Sequence, residues 1–306
     1  MSRAARASLV AALLCLAAPR LAAAQFAAPS AVVRTSPALP ARGSAAWLVV
    51  EDDWSRNDQP RLTAVEGEAA GEPLHFEAAD RGFVALMGIP IEGGDTLPVV
   101  LRLTRQGRMD STLLGVVVRH PSYPSERLKV PPGMVQYDSA TRARVESELT
   151  RAREVSRRSH ETPRLWAAPI TRPRDSRITS AFGGAREFNG RVTSRHLGTD
   201  FAGAVGTPVV AAARGVVALV ADFYLAGRAV YLDHGAGLVT GYFHLSQANV
   251  AEGDTVAAGQ RIGAVGRTGR VTGPHLHWIM RYGSISVDPM TLVELGRGAE
   301  AEAAAR

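Results

Sequence analysis

The chain has 306 residues, 46% of them hydrophobic and 21% charged, which excludes a mostly disordered chain or a collagen-like repeat and suits about two domains. The net charge is +6, but Arg3, Arg6 and Arg20 lie in a leader-like segment, and outside one helical stretch the basic residues form no patch, which speaks against a nucleic-acid binder. The single cysteine, Cys15, excludes a disulfide framework.

Arg3 and Arg6 precede a short apolar run from Leu9 to Ala18, and Ala22-Ala23-Ala24 offers a small-residue cleavage site before Gln25. This order predicts a signal peptide over residues 1–24 and export to the periplasm or cell envelope. The run is shorter than the roughly 20 residues that a span needs, so stable membrane insertion after cleavage is not expected. Leu14 stands before Cys15 where a lipoprotein signal needs a small residue. The expected mature chain has no cysteine, and any metal site must be built from His, Asp and Glu.

Residues 25–130 carry short β-type runs: Trp47–Val50, Leu62–Val65, Phe83–Leu86, Val99–Leu103 and Leu114–Val118. Gly, Asp, Pro and Asn clusters separate them, which predicts a small antiparallel sandwich. His75 and His120 stand alone there, and this part reads as a spacer or docking module. Pro131-Pro132-Gly133 ends it, and residues 131–164 form a helical linker. Asp138 or Ser139 caps a helix to about Ser159, with Val145, Leu149, Ala152 and Val155 near helical spacing. Its alternating Arg and Glu predict a solvated connecting helix with internal ion pairs.

Residues 165–295 return to β-type runs with glycine turns and no helix-period segment, which predicts an all-β domain; residues 296–306 read as a flexible tail. Five of the eight histidines fall between His196 and His277. On a strand His275 and His277 share one face, because side chains alternate with period two. His196 and Asp200 form an H-x-x-x-D just before a strand, and His244 ends another. Two His and one Asp make a three-ligand Zn²⁺ site with an open fourth position, leaving two histidines for proton transfer and charge stabilisation. His234, in Asp233-His234-Gly235, reads as a structural turn residue.

Ile178-Thr179-Ser180-Ala181-Phe182-Gly183, His196-Leu197-Gly198-Thr199-Asp200, Gly206-Thr207-Pro208-Val209, Tyr242-Phe243-His244-Leu245-Ser246 and Thr272-Gly273-Pro274-His275-Leu276-His277-Trp278 stand in this order. The segment from about Ile178 to Pro289 resembles the lysostaphin/LytM-type zinc metallopeptidases, and the upstream region loosely resembles that of some Gram-negative members. The resemblance implies an all-β catalytic domain, an antiparallel LytM-like sheet, preceded by the small β-sandwich and connecting α-helix. It implies one Zn²⁺ per catalytic domain held by His196, Asp200 and His277, with His244 and His275 as non-ligating catalytic residues. It further implies hydrolysis of peptide cross-links of peptidoglycan by a zinc-activated water, D,D-endopeptidase-like, with the stem peptides as partners. Asn189 and Arg186 are expected to line the substrate groove. The alternative is a silent module of this type that activates other cell-wall hydrolases; all five motif positions being filled argues against it.

Overall fold

The structure, a computed structural model, describes residues 31–52, 60–167 and 170–304; the expected signal peptide lies outside the described residues. Among the described residues no helix is long and apolar enough to cross a membrane.

The N-terminal part holds β1 (Ala31–Ser36), β2 (Ala45–Asp52), β3 (Ala64–Ala69), β4 (Glu72–Leu74), β5 (Glu77–Ala79), β6 (Gly82–Gly88), β7 (Thr96–Arg105) and β8 (Arg108–Val117). They form two four-stranded sheets, ordered β1-β2-β6-β5 and β4-β3-β7-β8. Alternation dictates the layers: Leu97, Val99, Leu101 and Leu103 of β7 point into the core with Leu48 and Val50 of β2. The other face of β2 is also used. Trp47 stacks on Trp166 with ring centroids 5.9 Å apart, and the Arg164 guanidinium lies 4.0 Å from the Trp166 centroid. His75 is not isolated as its sequence context suggests; it lies 2.8 Å from His160, whose other ring nitrogen meets Glu72 at 2.9 Å.

β9 (Ser125–Leu128) leads to α1 (Ser139–Arg158), whose first turn Asp138 caps by accepting from the Thr141 amide at 2.8 Å. The helix is not a solvated connector. Val145, Ala152 and Val155 are buried, the last two in one cluster with Phe223, Tyr231, Val239, Phe243 and Ile279. Leu149, expected on that apolar stripe, is 44% exposed. Glu148 pairs with Arg144 in the expected ion pair but also accepts from the Tyr224 amide at 2.7 Å, tying helix to sheet.

The C-terminal part contributes β10 (Ile178–Ser180), β11 (Ala185–Phe188), β12 (Val192–Arg195), β13 (Thr199–Ala202), β14 (Pro208–Val210), β15 (Gly215–Phe223), β16 (Gly227–Gly235), β17 (Leu238–Ala248), β18 (Thr255–Val256), β19 (Arg261–Val265), β20 (His275–Tyr282) and β21 (Ile285–Val287). The main sheet runs β10-β13-β20-β17-β16-β15-β18, with β19 bridging β14 and β17 and β21 edging β20. Its strands are antiparallel. β11 and β12 form a hairpin to which β9 adds in parallel, so the sandwich segment, bounded at residue 130, supplies a strand to the C-terminal part. A helix, α2 (Pro289–Ala304), follows β21 where none is expected, and it takes up the supposed tail to residue 304. Asp288 before Pro289 is its start signal: the Asp288 carboxylate accepts from the Met290 amide at 2.9 Å. Burial pushes that carboxyl up to about 6. Thr291 Oγ1 accepts from the Ala45 amide at 3.2 Å, docking α2 on β2.

Trp166 is 6% exposed at this junction. Trp166→Ala should cost about 3–5 kcal/mol, read as a lower urea midpoint.

Candidate metal centre

The pairing of β13 with β20 sets Asp200 directly opposite His277 and Ala202 opposite His275. Opposed residues point to one face, so Asp200, His277 and His275 converge. Gly198 permits the approach, since a Cβ there would lie 2.7 Å from His277 Cε1 and 2.7 Å from the Trp278 carbonyl oxygen. His196 comes from the turn before β13. Its amide donates to the Gly184 carbonyl at 2.8 Å and its own carbonyl accepts from the Gly183 amide at 2.7 Å, which pins the residue.

His196 Nδ1 donates to the Ala181 carbonyl at 2.8 Å, so its Nε2 lone pair faces inward. Nε2 lies 3.0 Å from Asp200 Oδ1 and 3.0 Å from His277 Nδ1, while His277 Nδ1 lies 2.6 Å from the same Oδ1. The three donor atoms lie within 4.8 Å of one another. Burial alone would raise the Asp200 pKa, but the charge and hydrogen bonds of His277 and His196 outweigh it and hold the carboxyl far below the usual carboxylate range. Burial brings His277 down to about 4, so its imidazole is neutral near pH 7. A carboxylate and two converging imidazoles fit a divalent cation, and the donor set suits Zn²⁺.

Two histidines flank the cluster. His275 Nε2 lies 3.8 Å from Asp200 Oδ1, and its Nδ1 donates to the Gly273 carbonyl at 2.8 Å. His244 Nδ1 donates to the Thr268 carbonyl at 2.8 Å, and the two rings are 4.9 Å apart. Both therefore present Nε2 to the site. Burial, then His277 and His275, brings His244 down to about 3. His244 also holds a left-handed backbone, φ 61°, at the point where β17 shifts register against β16.

A cavity of about 680 Å³ opens over these residues, with Val145, Glu148 and Leu149 of α1 on one wall. Arg186 faces it, but its guanidinium is committed: Nη2 donates to Asp200 Oδ2 at 2.7 Å and Nε to Glu126 Oε2 at 3.0 Å. Asn189 does not line the groove. Its amide is spent on the Val130 backbone, accepting from the amide at 3.0 Å and donating to the carbonyl at 2.8 Å. Glu126 and Ser180 join the site unforeseen; Ser180 stands within a motif quoted above, whereas nothing local marks Glu126. His234 lies apart, donating from Nδ1 to the Arg214 carbonyl at 2.8 Å, with Nε2 2.7 Å from Thr240 Oγ1.

Two imidazoles and a carboxylate on an antiparallel sheet, flanked by two further histidines, form a candidate metal centre. Residues 194–289 match the model of peptidase family M23. An 83-residue stretch is 51% identical to the peptidoglycan DD-endopeptidase ShyA of Vibrio cholerae, covering 27% of this chain and 19% of that one. A 117-residue stretch is 41% identical to the DD-carboxypeptidase/endopeptidase Mpg of Neisseria meningitidis, covering 38% and 27%. The chain thus spans about a fifth to a quarter of the length of the curated relatives it matches. A peptidase M23 crystal structure from Pseudomonas aeruginosa superposes with a TM-score of 0.60 at 27% identity, covering 83% of this chain and 94% of that one.

The fully buried His234 imidazole has its pKa lowered by burial. The unfolded chain then binds this proton more readily, with a pKa of about 6.5. Its contribution to stability should be complete above that pH and decline as pH falls below it. Urea midpoints measured between pH 8 and pH 5 should show this slope, reduced in His234→Asn.

Proposed function

We propose that the protein is an exported zinc metallopeptidase of the cell envelope that hydrolyses peptide cross-links of peptidoglycan as a D,D-endopeptidase. The observation that carries this reading is the convergence of His196, Asp200 and His277 beside two histidines with inward Nε2 atoms. The names of the Vibrio and Neisseria relatives support the substrate class. The N-terminal charge and apolar pattern supports export.

His196 Nε2, Asp200 Oδ1 and His277 Nδ1 would hold the ion. Bound Zn²⁺ supplies Lewis-acid polarisation of a carbonyl and lowers the pKa of a water to about 7. The cavity has the size of an ordinary ligand site and admits an extended peptide. His275 is the less buried of the two flanking histidines. We assign its Nε2 to taking up a proton from the attacking water and returning it to the leaving amine. His244, held by Thr268, orients the reacting groups from beside His275. A silent activator module would be favoured by a lost ligand position, and none is lost here.

His277→Ala should lose both bound zinc and activity, whereas His275→Ala should lose activity and keep zinc, as read by metal analysis and peptidoglycan digestion. Equal metal loss in both would refute the ligand assignment. Purified cross-linked muropeptide dimers should become monomers with the sugar chain intact, and a chelator should stop the reaction. Cleavage of pentaglycine but not of these dimers would overturn the substrate assignment.

A further inference from the structure

Arg186 touches the ligand Asp200, and what holds Arg186 comes from outside the catalytic domain. The parallel register of β9 and β11 places Glu126 opposite Arg186. Glu126 Oε2 accepts from Arg186 Nε at 3.0 Å, and Oε1 accepts from Ser180 Oγ at 2.7 Å. Ser180 Oγ in turn accepts from Arg186 Nη2 at 2.9 Å and lies 3.0 Å from His196 Nδ1. Arg186 Nη2 donates to Asp200 Oδ2 at 2.7 Å, which leaves Oδ1 turned toward His196 and His277. One carboxylate therefore braces two groups that each touch a proposed ligand.

The charges explain why it is a carboxylate. A guanidinium beside a divalent cation opposes metal binding unless a counter-charge compensates it. Glu126 is that counter-charge, with side chains 28% exposed for Glu126 and 15% for Arg186. We propose that Glu126 is a positioning residue that raises the affinity of the centre for its metal, by neutralising Arg186 and fixing Asp200 to present a single oxygen. This inference rests on the zinc reading above.

The test is zinc affinity of the full chain by competition with a chromophoric chelator. Glu126→Gln should bind zinc about tenfold or more weakly, the usual effect of losing a partner of a ligand. The Co²⁺-loaded variant should also show an altered absorption spectrum. Arg127→Gln, on the same strand with an 88% exposed side chain, should leave both unchanged. Should Glu126→Gln fail to fold, Ser180→Ala breaks the same network from within the catalytic domain and should act in the same direction. Affinities within twofold of the parent with an unchanged spectrum would overturn the inference while leaving the zinc site standing. A parent chain that binds no zinc would remove both.

Discussion

The site depends on the antiparallel register between β13 and β20. Because side chains alternate, setting Asp200 against His277 places both on one face and brings His275 along two residues further. A slip of one residue would turn His275 and His277 to the opposite face and leave Asp200 with no imidazole across from it. The register is fixed from both sides. β17 pairs with the other edge of β20, setting Phe243 against His277, and Leu276, Trp278 and Met280 are fully buried on the reverse face. Burial of that face makes the slipped arrangement costly, since it would expose these three side chains while burying histidines without partners.

Around this sheet the chain recruits pieces from far upstream. α1 lays Ala152 and Val155 over Tyr231, Val239 and Phe243, and its preceding turns wall the cavity. β9 extends the hairpin that carries Arg186. The segment between the two β regions therefore shapes the groove as well as joining them. It sets the surroundings of the histidine cluster, which the short histidine motifs alone do not determine.

Local chemistry made much of this legible. Short β-type runs such as Phe83–Leu86 and Val99–Leu103 are strands, and Asp138 is the cap of α1. His275 and His277 could be placed on one face from their spacing alone, and Asp200 with His196 followed from the motif order. Long-range pairing left no local trace. Glu126 meets Arg186 across 60 positions of sequence, and Asn189 closes on Val130 across 59, so composition near either residue says nothing of its partner. α2 was missed for a different reason. Its residues Pro289 to Leu295 hold few polar residues on which an amphipathic pattern could stand out, which leaves Asp288-Pro289 as its local start signal.

The double use of the β1-β2-β6-β5 sheet has a thermodynamic consequence. One of its faces closes the sandwich, and the other receives Trp166, Tyr282 and α2, so apolar residues from both β regions form one unbroken cluster. Two bodies joined by a thin, wet interface melt separately; two that share a core exchange too much apolar surface with each other to do so. Heating should therefore produce a single calorimetric transition with matching van't Hoff and calorimetric enthalpies, and the sandwich and the peptidase region constitute one folding unit.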